Sequence, residues 1–196
     1  RNILFITILL ILFSSNSLPQ WKSDPTSNIL IADTTGSQVL PKAVKCKDGS
    51  SFVTWFDTRN GSYALYMQKM STNGIREWGD NGILISDKPQ SSFISNYSLE
   101  CDKTNNAIVA FTDVRTGNQS VFAYKISPLG KFLWGNEGIL VSSGKESAVN
   151  PSIAVTGDGF YVIAWITSGN PDKIELQKIS VDGTGMWGKT TIQYSS

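Results

Sequence analysis

Histidine is absent from all 196 residues. That removes the commonest general base near neutral pH and the commonest transition-metal ligand. Charge is also scarce, at 17% of residues with a net of +1. No field of one sign exists to draw in nucleic acid or anionic lipid, so neither is expected as a partner. Convincing helical periodicity is missing throughout, which argues against a helical fold. The apolar run from Ile3 to Phe13 falls short of the about 20 residues that span a bilayer. It has the length of the apolar region of a secretory signal peptide. Arg1 precedes it, and Ser15 and Ser17 follow at small-x-small spacing. Residues 1–17 are therefore expected to be a cleaved leader, cut near Ser17. The chain is then secreted or held at the cell surface, with no transmembrane segment in its mature part.

What is present is repetition. The stretch Ser71 to Gly79 reads Ser-Thr-Asn-Gly-Ile-Arg-Glu-Trp-Gly, and its Ser, Gly74, Trp78 and Gly79 recur in two more places. The second copy has Ser127, Gly130, Trp134 and Gly135; the third has Ser180, Gly183, Trp187 and Gly188. Trp21 continues the series backwards, and the four Trp are 57, 56 and 53 residues apart. A period of this size marks a repeat architecture. In the same register, Trp55 and Trp165 each follow a Pro, Pro41 and Pro151, by 14 residues, and Phe111 takes their place in the middle copy. All six Trp occupy two repeat positions. Aromatics so confined are expected to be core residues that pack one unit on the next.

Each copy holds four strand-like runs. In the second copy these are Ser95 to Cys101, Ala107 to Phe111, Ser120 to Ser127 and Phe132 to Ser142. The turns Lys47-Asp48-Gly49-Ser50 and Gly157-Asp158-Gly159 are hairpin signals. In the third run Leu65, Val121 and Ile174 align, while Met70, Ile126 and Ile179 fall on the other face. A sheet apolar on both faces must be covered on both sides, which a two-sheet sandwich does not provide. Four-stranded sheets stacked face to face do, and that is the blade arrangement of a β-propeller. The expected fold is all-β, with three four-stranded antiparallel repeats at about 40–86, 95–142 and 150–194, forming an incomplete ring. Residues 18–39 are read as a linker with an outer strand. Ile29-Leu30-Ile31-Ala32 resembles Ile83-Leu84-Ile85-Ser86, so residues 28–33 are expected at an edge or irregularly paired. The arc is expected to expose apolar faces at its ends.

Cys46 and Cys101 are one repeat apart. Equivalent points on packed sheets are about 10 Å apart, whereas a disulfide needs Cα atoms within roughly 7 Å. Two unpaired thiols are expected on that ground, although an oxidising compartment leaves a disulfide open.

Few residues are arranged for chemistry. Trp55-x-Asp57-x-Arg59-x-Gly61 and Phe111-x-Asp113-x-Arg115-x-Gly117 share one pattern, which the third copy replaces with Trp165-Ile166-Thr167-Ser168-Gly169. Such pairs could form a rim that binds sugars or anions. A simpler role is an Asp that caps its own loop and an Arg that braces the neighbouring strand. Catalytic groups form a single constellation and so break repeat symmetry, which these keep. Neither Asp158 nor Asp80-Asn81-Gly82 sits in a full calcium loop. No metal or cofactor is expected. Asn60-Gly61-Ser62, Asn96-Tyr97-Ser98 and Asn118-Gln119-Ser120 fit the glycosylation triplet.

The unit Pro41…Trp55-x-Asp57-x-Arg59…Gly74…Trp78-Gly79…Gly82-Ile83 resembles a family of secreted bacterial propeller-like repeat proteins. That resemblance implies an extracellular propeller. The Ser71…Trp78 turn is also similar to the Asp-box of sialidases, with Gly one place early and Asn73, Leu129 and Asp182 at the Asp position. The Asp-box is a structural hairpin and carries fold better than activity. A sialidase needs an arginine triad, and beyond the leader only Arg59, Arg76 and Arg115 exist. The expected function is thus a non-catalytic extracellular module presenting a surface to a glycan or a cell-surface protein. The alternative is the N-terminal part of a sialidase-like or other propeller glycoside hydrolase.

Overall fold

The computed structural model describes residues 24, 26–91, 96–188 and 190–192, the last three as backbone only. The expected leader and Trp21 lie outside the described residues. Twelve strands form three antiparallel sheets of four. The first blade holds β1 (Gln38–Lys45), β2 (Ser51–Asp57), β3 (Ala64–Met70) and β4 (Ile83–Ser86). The second holds β5 (Ser98–Cys101), β6 (Ala107–Asp113), β7 (Ser120–Ile126) and β8 (Ile139–Leu140). The third holds β9 (Ala148–Val155), β10 (Tyr161–Thr167), β11 (Lys173–Ile179) and β12 (Thr190–Ile192). In each blade the strands pair in chain order. The register repeats as well: Trp55 lies opposite Tyr66, Phe111 opposite Phe122, and Trp165 opposite Glu175.

The fourth run is shorter than its sequence pattern implies. Phe132 makes only an isolated bridge to Ile126, and pairing resumes at Ile139. Gly135 and Gly138 between them have φ of 82° and 65°, a backbone open to glycine at little strain. The turn they make leaves Trp134 free to reach the next blade. The turn glycines Gly74, Gly130 and Gly183 likewise have positive φ, 74°, 75° and 94°.

Burial follows the stacking. Every residue of β6 and β7 is buried, because blade 2 is covered on both faces. In β10 buried and half-buried residues alternate, because the described residues cover blade 3 on one face. One core joins Phe52, Phe56, Leu65 and Met67 of blade 1 to Tyr97, Phe111, Tyr124 and Ile126 of blade 2. A second joins Ile108, Ala110, Val121 and Trp134 to Tyr161, Ile163 and Trp165 of blade 3. On the far face of blade 1, Trp55, Ala64 and Tyr66 pack against Ile31 and Ala32. Residues 28–33 form no strand. They are tied by the Asp33 N–H, which donates to Asn81 Oδ1 at 2.9 Å. Blade 3 exposes Ile174, Val181, Met186 and Trp187.

The expectation of two unpaired thiols is corrected. Cys46 and Cys101 form a disulfide, with Cα atoms 5.4 Å apart. Face-to-face sheet spacing was the wrong yardstick. Both residues lie at the ends of first strands, and β1 packs on β5 as β5 packs on β9. Blades converge there, so equivalent points approach well inside 10 Å.

Candidate functional site

Asp57 and Asp113 end β2 and β6, at the blade end opposite the disulfide, and neither side chain is exposed. Asp57 Oδ1 accepts the Arg59 N–H at 2.8 Å, closing the loop on itself. Its Oδ2 accepts Trp55 Nε1–H at 3.0 Å and Arg59 Nη2–H at 2.6 Å. The Arg59 guanidinium lies 3.8 Å from the Tyr66 ring centre and also donates to Asn81 O at 3.2 Å. Burial alone would push the Asp57 carboxyl up. The hydrogen bonds from Arg59 and Trp55, with the Arg59 charge, outweigh it and hold the pKa at about 2.

Blade 2 repeats the arrangement with more donors. Arg115 contacts Asp113 Oδ2 through Nε at 2.8 Å and Nη2 at 2.5 Å. Its plane lies 3.9 Å from the Phe122 ring centre, and Nη2 also faces Tyr124 Oη at 3.0 Å and Ser86 Oγ of blade 1 at 3.4 Å. Nη1 donates to Glu137 O at 2.8 Å. Burial works against the Arg115 charge, but Asp113 and Tyr124 prevail and raise its pKa. Both arginines brace their own blade, and Arg115 also reaches Ser86 of the blade before. Their carboxylate partners are committed to that structure.

Blade 3 departs from the pattern. Thr167 stands at the Asp position, and Trp165 Nε1 donates to Thr167 Oγ1 at 3.0 Å. The carboxylate comes instead from Glu175, at the register position of Tyr66 and Phe122. Glu175 Oε2 accepts Thr167 Oγ1–H at 2.6 Å and Trp165 Nε1–H at 3.3 Å. Glu175 was absent from the sequence-derived candidates. The loss of Asp and Arg in the third copy was the signal that could have pointed to it.

Elsewhere, Asp102 accepts from Tyr161 Oη at 2.8 Å and Asn106 Nδ2 at 2.9 Å, with Lys125 Nζ at 3.7 Å. Asp158, weighed as a calcium ligand, is held by Thr156 and by Lys178 at 3.0 Å. Asp80 pairs with Arg76 at 3.1 Å. Among the described residues no three His, Cys, Asp or Glu side chains cluster as a metal site. A hollow of about 340 Å³ opens beside the β2–β3 loop, lined by Ser62, Tyr63, Asp87, Pro89, Gln90 and Ser91.

No protein-family model matches the sequence. Nor does any curated protein match it. Among solved structures, an endo-arabinase from Bacteroides thetaiotaomicron superposes with a TM-score of 0.52 at 18% identity, over 86% of this chain and 67% of that one. The chain has a propeller-blade fold. An endo-1,4-beta-xylanase from the same organism gives 0.49 at 13% identity, over 85% of this chain and 62% of that one. An endo-1,5-alpha-L-arabinanase from Thermotoga petrophila gives 0.45 at 16% identity, over 76% of this chain and 38% of that one. The propeller chain therefore spans two thirds or less of each of these enzymes.

Proposed function

We propose that this chain supplies blades of a carbohydrate-directed propeller of the glycoside-hydrolase kind, working outside the cytoplasm. The observation that carries the reading is the superposition of three blades on an endo-arabinase across 86% of the chain. The hollow beside Tyr63 supports it chemically: a part-exposed aromatic ring with Asp87, Gln90 and Ser62 suits the apolar face and hydroxyls of a sugar. The Cys46–Cys101 disulfide supports an oxidising compartment, as does the leader-like run.

The test is calorimetric titration with arabinan and xylan oligosaccharides, alongside release of reducing ends. Saturable binding to one of them, weakened at least fivefold by Tyr63→Ala, is expected. Absence of binding to both overturns the reading. The second reading is a module that binds without cleaving. It is favoured by Asp57 and Asp113, whose oxygens are occupied by arginine rather than poised for acid–base work. Binding with no release of reducing ends selects it.

A further inference from the structure

Two internal contacts show how one blade of this chain receives the next. Blade 2 turns Ile108, Ala110, Val121 and Ala123 toward blade 3, and all four are buried there. By strand register the same face of blade 3 carries Val162, Ala164, Ile174 and Leu176, with Ile166 at the place of Thr112. That face is at least as apolar, yet Ile174 is exposed and the other four are half-buried, because the described residues leave it open. The turn before the fourth strand is also built alike in all three blades. Glu77, Leu133 and Met186 each donate a backbone N–H at 2.8 Å to a lysine carbonyl of the third strand, that of Lys69, Lys125 or Lys178. Gln177 accepts the Trp187 N–H at 2.8 Å and donates to its carbonyl at 2.7 Å, much as Gln68 holds Trp78 and Gly79. The indoles of Trp78 and Trp134 go on to donate to Pro128 O and Val181 O of the next blade. The Trp187 indole is 41% exposed and finds no such acceptor among the described residues.

The opposite end of the arc carries the matching surface. Ile31 and Ala32 pack on Trp55 and Tyr66 of blade 1. Beside them lies an apolar hollow of about 170 Å³, lined also by Gln38, Pro41 and Val53. In blade 2, Tyr97 and Phe111 hold the places of Pro41 and Trp55 by register. There the Phe56 ring of blade 1 fills the space, edge-on to both rings at 5.4 and 6.4 Å. The hollow on blade 1 is thus the seat of a Phe56-type side chain, with no described blade in front to supply one. The register counterpart of Phe56 in blade 3 is Ile166. Likewise Thr72 stands in the blade 1 turn where Pro128 and Val181 accept their indoles in blades 2 and 3.

We propose that blade 3 of one copy of this chain docks on blade 1 of a second copy, with Ile166 entering the hollow beside Trp55 and the Trp187 indole donating to Thr72 O. The occupant is a second copy because both halves of the contact are carried by this one sequence, and each continues an interface the chain already makes within itself. The contact is head-to-tail, so two copies related by a two-fold axis make it twice and close on each other. Three blades from each give a ring of six, within the range of about four to eight that propellers use. The contact depends on blade stacking and not on the carbohydrate reading.

Sedimentation velocity over the micromolar range tests it on the chain itself. The unmodified chain is expected to associate reversibly to a dimer. Ile174→Lys charges the blade 3 face and Pro41→Lys the blade 1 face; both positions are exposed in the single chain, so each variant is expected to fold. Each alone is expected to weaken association at least tenfold, since both contacts of its own dimer are spoiled. Mixed in equal amounts, the two variants are expected to pair again, because one copy still has its native blade 1 and the other its native blade 3. Trp187→Phe keeps a ring and loses the donor; it is expected to weaken association without changing the circular dichroism spectrum. A monomeric unmodified chain at the highest concentration overturns the proposal and leaves both faces to blades of some other polypeptide. So does a mixture that associates no better than either variant alone. Association that both lysine variants leave unchanged also overturns it, as contact through apolar surface of no fixed geometry.

Discussion

Trp134 Nε1 donates to the carbonyl oxygen of Val181, 3.1 Å away in the next blade. Trp78 makes the same bond to Pro128 O, also at 3.1 Å. Each indole is thus both core and clasp: its ring fills the inter-blade space and its one polar atom finds the neighbour's turn. Trp134 is the more buried of the two and packs edge-on against Tyr161. Trp134→Ala is expected to destabilise by about 3–5 kcal/mol. Trp134→Phe keeps most of the ring and loses the hydrogen bond, about 1–2 kcal/mol plus any misfit. Urea unfolding followed by circular dichroism measures both; equal losses would mean that ring packing contributes nothing separate.

The disulfide closes a loop of 55 residues between neighbouring blades. Constraining a loop of that length in the unfolded chain stabilises the fold by up to about 4 kcal/mol. The Cys46→Ala, Cys101→Ala double variant is therefore expected to unfold at lower denaturant, by roughly 2–4 kcal/mol. The unmodified chain under reducing conditions should behave alike. Chemical denaturation with and without reductant gives the answer, and an unchanged midpoint contradicts it.

Asp57 gives the fold an acid limit. Its carboxyl has a folded pKa of about 2, below the ordinary value of 3.8, so the folded state binds its proton less readily than the unfolded state. The stabilisation is present above the ordinary carboxylate pKa and is lost as pH falls from about 4 through about 2. It amounts to about 2 kcal/mol. Asp57→Asn should flatten that acid arm of stability against pH. It should also destabilise by about 2–4 kcal/mol at neutral pH by leaving Arg59 without its carboxylate. Thermal melts between pH 2 and 7 test the sign.

Gly82 has φ of +69°, and a Cβ built on it would lie 2.5 Å from Met67 O. Gly138 repeats the geometry, 2.6 Å from Ala123 O. Gly82→Ala thus meets both a strained backbone and a clash with main chain that has little room to move. A loss above about 2 kcal/mol is expected. Gly79→Ala meets no atom within 4 Å at φ +73° and isolates the conformational part. Comparing the two melting temperatures separates clash from strain.

The repeat was legible because each landmark had a local cause. A turn that needs positive φ kept Gly74, Gly130 and Gly183. A third strand apolar on both faces announced a sheet covered on both sides, and the fully buried β7 is that sheet. The loop-capping reading of Asp57–Arg59 and Asp113–Arg115 was also legible, since the pattern recurs at one place in the first two units, and the hydrogen bonds of Asp57 and Asp113 to the backbone two residues on agree with it. The place of Glu175 was not. Nothing in the spacing of Glu175 marks it, and its meaning comes from standing where Tyr66 and Phe122 stand in the other two blades.

Sequence alone determined the strands, their order and their repetition, because these follow from alternation, turn chemistry and period, all of them local along the chain. Tertiary structure alone decided how far apart equivalent positions lie. Near the first strands they come close enough to join Cys46 to Cys101. Between blades 2 and 3 it set Glu175 against a cavity of about 130 Å³. The period counts residues and carries no information about radius. Blade convergence sets the distance between repeats, and it exists only once the sheets have packed.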